Sequence, residues 1–137
     1  MSIVLSIKPQ FTNLILNGQK AIEMRTRIGK EFVSSAKVII YSSSPVKAIV
    51  AIAEIDTIQS INKKEVTDQH LEKICISKKF FDEYMQNRED CFLIKLNNVQ
   101  KLNNPITLAE LRKLGVTAPQ SFCYASKALI SLVNSLL

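Results

Sequence analysis

Four charged residues crowd one short segment directly after Gly18: Lys20, Glu23, Arg25 and Arg27. An ammonium and two guanidinium groups can donate to phosphate oxygens or to a base carbonyl, with a carboxylate among them to hold them in place. Glu23 can itself accept a hydrogen bond from the amino group of a base. From Ala21 onward the pattern alternates. Ile22, Met24 and Ile28 fall on one side and Glu23, Arg25 and Arg27 on the other, the period of a half-buried strand. Lys20 is out of phase with Glu23 in such a strand, and joins the same cleft only if the strand begins after it. The alternative arrangement is a solvent-exposed ladder of ion pairs worth under about 1 kcal/mol.

Other side chains with chemical potential are dispersed. Tyr41 and Phe122 can stack on bases or serve as core or rim aromatics. The Ser42, Ser43 and Ser44 run can offer hydroxyls to phosphate or form a turn before Pro45. Lys63-Lys64 and Lys78-Lys79 suit solvated helix faces. His70 is the single histidine, so a His-based zinc site or a second-histidine relay has no residues to build it. Its polar context, KKEVTDQHLEK, places it on a surface helix. Cys75, Cys91 and Cys123 form no Cys-x-x-Cys pair, and their apolar surroundings predict reduced, buried thiols.

The elements that must position these residues follow from the same pattern. Ser2–Ile7 reads as a short buried strand. Pro9 opens a helix of about two turns, with Phe11, Leu14 and Ile15 on one stripe and Gly18 as its stop. Lys37–Ser43 and Val46–Ile58 are strands joined over Ser43–Pro45. The second is apolar on both faces, which predicts a central position. Asn62–Gln86 reads as two helices, with Ser77 capping the second and Phe81, Tyr84 and Met85 turned inward. Glu89–Val99 returns to strand, and Asn103-Asn104-Pro105 reads as a turn. Thr107 and Glu110 form a capping box for a helix ending at Gly115. The apolar spacing from Ala125 to Leu136 predicts an amphipathic final helix that covers the core. Strands dominate the middle without regular strand–helix alternation. The expected fold class is therefore α+β, mainly β: a small barrel with helices packed across its openings.

The segments SIKP (Ser6–Pro9) and GQKAIEMR (Gly18–Arg25) carry a resemblance. The second is similar to the Gly-x-Lys-x-x-Glu-x-Arg signature of the ASCH family. Tyr41–Ala51 and Pro119–Tyr124 resemble the rest of that family's pattern, so the agreement spans nearly the whole chain. The resemblance implies a PUA-like β-barrel with a cleft that receives RNA or a nucleotide. Carried over by position, Lys8, Lys20, Glu23 and Arg25 line that cleft. Tyr41 and Ser43 stand as walls, and Gln120, Ser121 and Tyr124 close it from the C-terminal side. Some ASCH-like proteins deacetylate acetylated cytidine with a threonine three residues after the signature lysine. Here that position is Glu23, and Thr26 lies on the opposite strand face. If the chain is an enzyme, Glu23 would act as general base on water and Lys20 would stabilise an oxyanion. A carboxylate tied to Lys20 and Arg25 is a weak proton acceptor, which with the missing threonine argues against that deacetylation, though not against every hydrolysis.

Length and composition bound these readings. The 137 residues suffice for one domain, residues 1–137, with a real core. Only three glycines are present, too few and too scattered for a phosphate-cradling loop. Lys and Arg number 18 against 12 acidic residues, a net charge of +6 that favours polyanionic partners. No segment reads as a secretory leader or membrane span, which predicts a cytoplasmic protein with no membrane partner. No metal or cofactor is expected. The expected function is RNA or nucleotide binding in a charged cleft. The alternatives are a small hydrolase acting on a modified nucleoside or RNA, and a protein-interaction module.

Overall fold

The computed structural model describes residues 2–137. The strands are β1 (Ser2–Ile7), β2 (Ile22–Arg25), β3 (Lys37–Ser42), β4 (Ala48–Asn62), β5 (Asp90–Thr107) and β6 (Phe122–Tyr124). The helices are α1 (Pro9–Leu16), α2 (Asp68–Ile74), α3 (Lys78–Tyr84), α4 (Leu108–Lys113) and α5 (Lys127–Ser135), with a 3-10 turn over Lys63–Glu65. One mixed sheet runs in the order β2-β5-β4-β3-β1-β6 and curls into a half-barrel. β1 pairs with β3 in parallel and every other pair is antiparallel. That parallel pair needs a crossover, which α1, β2 and the loop after it supply.

Pro9 occupies the first turn of α1, where no N–H is needed, and Gly18 takes the left-handed φ of 84° that turns the chain toward β2. β4 is central, as its two-faced apolarity predicts, but it starts at Ala48 and runs on to Asn62. β5 carries Asn103-Asn104-Pro105, where the sequence predicts a turn, as a bulge inside one long strand. Between the pairs Ala51–Lys101 and Ile49–Ile106 β4 advances two residues while β5 advances five, so none of Leu102–Pro105 has a β4 partner in register and Pro105 forfeits no ladder bond.

Three apolar clusters follow from strand alternation. Ile3, Leu5, Ile7, Val38, Ile40, Ala51, Ala53 and Ile94 pack on one face with Ile15 of α1. Val4, Ile39, Tyr41, Ile49 and Ile106 face the other way, under Leu111 of α4 and Leu129 and Val133 of α5. Ile22, Ile61, Cys91 and Leu93 are covered by Leu71 and Ile74 of α2 and Phe81 and Met85 at α3. The C-terminal helix thus covers the protein's own sheet.

Several caps match their sequence signals. Ser77 accepts from the N–H of Phe80, and Thr107 from the N–H of Glu110 at 3.2 Å. Other expectations change. The strand after Lys20 ends at Arg25, so Ile28 does not continue its apolar side and packs instead against the first cluster. Of the three thiols only Cys91 is fully buried. Cys75 is half-exposed, because it ends α2 in a left-handed conformation, φ 65°, that lifts its side chain off the apolar stripe.

Candidate nucleic-acid interface

β2 begins at Ile22, so Lys20 lies in the turn before it, held by its N–H to the carbonyl of Leu14. That start removes the phase conflict. Ile22 and Met24 pack into the third cluster, and Glu23 and Arg25 project from the other side of the strand. Lys20 and Glu23 are 4% and 7% exposed, with Lys20 Nζ 3.6 Å from Glu23 Oε1. The ammonium also donates to the carbonyl of Ile74 at 2.6 Å and sits 5.0 Å from the centroid of the Phe11 ring.

Arg25 is fully engaged. Its Nε donates to Glu23 Oε2 at 2.8 Å, and Nη2 lies 2.8 Å from the same oxygen. Nη2 donates to the Ser6 carbonyl at 2.9 Å, and Nη1 faces Ser121 Oγ at 3.1 Å and the Ser121 carbonyl at 3.3 Å. Those contacts engage all three guanidinium nitrogens. β2 and β6 stand at opposite ends of the strand order. One side chain therefore ties an edge strand to β1 and to the residue before β6, bridging the seam that no backbone ladder closes.

The trio, with Lys20 and Glu23 buried and Arg25 half-buried, walls a recess of about 190 Å³. Its lining includes Ser6, Ile7, Lys8 and Phe11 on one side, and Ile74, Ile76, Phe80 and Tyr84 from the α2–α3 insertion on the other. Lys8 is exposed there. A second recess of about 310 Å³, lined by Arg25, Thr26, Arg27, Tyr84, Ser121 and Phe122, meets the first at Arg25 and Tyr84. Phe80 and Tyr84 remain 43% and 41% exposed. Their rings are nearly parallel, 9° apart with centroids at 6.3 Å. The Arg88 guanidinium continues the series 5.8 Å from the Tyr84 centroid and donates to Thr26 Oγ1 at 3.0 Å. Three planar groups at i, i+4 and i+8 thus form a ladder along the rim.

The structure brings Lys8, Lys20, Glu23 and Arg25 around one hollow, with Ser121 bonded to Arg25 beside it. It does not bring Tyr41, Ser43, Gln120 or Tyr124 to either recess. Tyr41 alternates with Ile40 along β3 and is buried in the second cluster, beneath α4 and α5. Ser43 donates its N–H to the Ile7 carbonyl. Gln120 is exposed, and the Tyr124 hydroxyl accepts from the N–H of Glu31 and packs against Gly29. The sequence reading turns Tyr84 inward with Phe81 and Met85 and leaves Phe80 aside, whereas the structure buries Phe81 and Met85 and leaves Phe80 and Tyr84 at the rim. The signal was helical phase: Phe81 and Met85 share the buried stripe, while Phe80 and Tyr84 share the neighbouring one.

Burial lowers the pKa of Lys20 from its ordinary 10.5, and the nearby Glu23 carboxylate offsets part of that shift. Between the lowered value and 10.5 the unfolded chain keeps a proton that the folded chain has lost. This group's contribution to stability therefore rises with pH across that window. Lys20→Met is expected to abolish that rise, read from urea midpoints measured up to pH 10. Tyr41, whose burial raises its pKa above 10.0, opposes the trend only beyond that point. A rise unchanged in the variant would assign it to another group.

His70 caps α2, its Nδ1 accepting from the Thr67 N–H at 3.0 Å. Among the described residues no group of three or more His, Cys, Asp or Glu side chains gathers in a way that could hold a metal ion. No helix among them is long and apolar enough to cross a membrane.

Residues 1–117 match the family described as a domain of unknown function, DUF365. The chain belongs to this family. It is also an ASCH domain: a crystal structure of ASCH from Zymomonas mobilis superposes with a TM-score of 0.89 at 26% identity, covering 98% of this chain and 94% of that one. A Zymomonas mobilis protein named as an ASCH domain-containing ribonuclease is 26% identical over 126 residues, 90% of this chain and 84% of that protein. The N-terminal domain of Staphylothermus marinus McrB shares the fold at TM-score 0.61 and 14% identity, over 98% of this chain and 93% of that one. This DUF365 chain carries Lys20, Glu23 and Arg25 on a turn and a four-residue strand, and its half-barrel folds them into one cluster.

Proposed function

We propose that this ASCH domain binds single-stranded RNA, with one base at the Lys20–Glu23–Arg25 recess and its neighbours stacked along Phe80 and Tyr84. The observation that carries the reading is the ladder Phe80–Tyr84–Arg88 beside that charged hollow. Exposed aromatic and guanidinium planes are what unpaired bases stack on, and every base offers such a face. The recess of about 190 Å³ falls below the roughly 300–1,000 Å³ of sites for drug-sized ligands, which suits a single base. Glu23 Oε1 and Lys20 Nζ supply an acceptor and a donor side by side, as a base edge requires.

The cations of Lys20 and Arg25 are committed inside the protein, so strand phosphates fall to exposed Arg27 and Arg88. Fluorescence anisotropy with a labelled oligoribonucleotide over a salt series tests this. Arg27→Ala and Arg88→Ala are each expected to reduce the log–log salt slope by about 0.7. Slopes unchanged in both variants would remove the backbone from this path.

The ribonuclease name of the Zymomonas relative favours a second reading, that the bound strand is also cut. Attack by a ribose 2′-hydroxyl needs a proton acceptor and a donor, and Glu23 Oε1 and Lys20 Nζ stand 3.6 Å apart at the hollow. Purified protein should then degrade an RNA strand and spare its 2′-deoxy counterpart. Glu23→Gln with full turnover would exclude Glu23 from the step.

A further inference from the structure

On the sheet face that α2 and α3 cover, residues change character from one end to the other. Ile61 opposite Cys91 belongs to the third apolar cluster. Gln59 opposite Leu93 is mixed, and Thr57 opposite Lys95 is polar. Where the apolar cover ends, a separate recess of about 200 Å³ opens between α2 and the sheet. Thr57, Gln59 and Lys95 line it from the strands, and Gln69, His70 and Lys73 from the helix. No carboxylate is among its lining residues. Asp56 is the acid that approaches, with Oδ2 3.7 Å from Lys95 Nζ, in a pair exposed enough that a stronger anion can displace it.

His70 adds a directed donor. A backbone N–H can only donate, so the Thr67 N–H at 3.0 Å makes Nδ1 an acceptor and leaves the proton of the neutral ring on Nε2. The capping bond also fixes the ring plane. The recess thus combines two ammonium groups, an imidazole N–H, amides and a hydroxyl.

We infer that this recess is a phosphate-binding site, distinct from the base hollow and built from the side chains of His70, Lys73 and Lys95 with Gln59 and Thr57. Its ligand is a phosphate monoester or diester, either the backbone of a long RNA strand that wraps past α2 or a free phosphoester. Charge-assisted donors from three side chains suit a tetrahedral anion in a recess too small for a nucleotide.

The test follows inorganic phosphate by two-dimensional NMR on the intact chain at constant ionic strength. Saturable shifts are expected at His70 and Gln59. Affinity should fall about tenfold in Lys73→Ala/Lys95→Ala, as for loss of hydrogen bonds to a charged group. His70→Gln should weaken it also, while a glutamine at that position can still close the capping box and keep α2 folded. Phe80→Ala/Tyr84→Ala should leave it unchanged, so failure here and failure of the RNA reading remain distinguishable. Long and short oligoribonucleotides separate the sources. Weakening of the long strand alone by the lysine variants identifies the strand's own phosphates, and no effect on either strand identifies a free phosphoester. Shifts that never saturate, or that persist undiminished in the lysine and His70 variants, would overturn the assignment.

Discussion

Replacing Phe80 and Tyr84 with alanine is expected to weaken binding of single-stranded RNA by roughly 5- to 150-fold per ring, since stacking contributes about 1–3 kcal/mol per base. Both rings are exposed, so their loss opens no cavity; the buried stripe of α3 is Phe81, continued by Met85. Folding should survive, and circular dichroism and urea midpoints should stay near those of the parent. The readout is then specific to the ligand. Phe80→Tyr should retain most of the affinity, because the flat surface rather than the chemistry of its edge is what stacks. Full binding by the double alanine variant would remove the ladder from the function and leave the hollow without its flanking wall.

Glu23→Ala is expected to destabilise the fold by about 3–5 kcal/mol, the cost of leaving buried charge uncompensated. Glu23 sits between the ammonium of Lys20 and the guanidinium of Arg25, both largely shielded from water. Removing it strands two cations. Arg25 in turn loses the anchor that aims it at Ser6 and Ser121, so the seam between β2 and the start of β6 should loosen as well. Urea unfolding measures the first effect, and amide exchange at Phe122–Tyr124 measures the second. Adding Lys20→Met to Glu23→Ala should recover part of the loss, because one stranded charge is gone. A loss of unfolding free energy under about 1 kcal/mol in Glu23→Ala would return the trio to the class of solvated ion pairs.

The elements were legible where local chemistry decides them. Pro9 with Gly18, Ser77 with the Phe80 N–H and Thr107 with Glu110 each satisfy or remove helix-end groups within a few residues, and all act where the spacing predicts. Alternation marked Glu23 and Arg25 as one face of a strand. It could not tell whether Lys20 would join them, because that depends on where the strand starts, and hence on the turn that ties Lys20 to Leu14. Asn103–Pro105 shows the converse. The local turn signal is absorbed as a bulge, because β4 keeps its pairing on either side, at Lys101 and Ile106, and leaves the residues between them unpaired.

Tyr41 and Tyr84 exchanged places for a similar reason. Tyr41 stands among strand residues near the expected cleft, and the two-residue period carries it to the face beneath α4 and α5. Tyr84 lies on a helical insertion far along the chain, and packing of Phe81 and Met85 turns it to the rim.

From residue order alone came the strand-rich class, the helix caps, the positive balance and the Lys-x-x-Glu-x-Arg cluster, because each depends on neighbours in the chain. Tertiary structure alone decided that the cluster is buried, that Arg25 spends its donors on β1 and Ser121, and that Phe80 and Tyr84 face it. Those facts join residues about 20 to 100 positions apart, and only the curl of the sheet brings them within hydrogen-bonding distance.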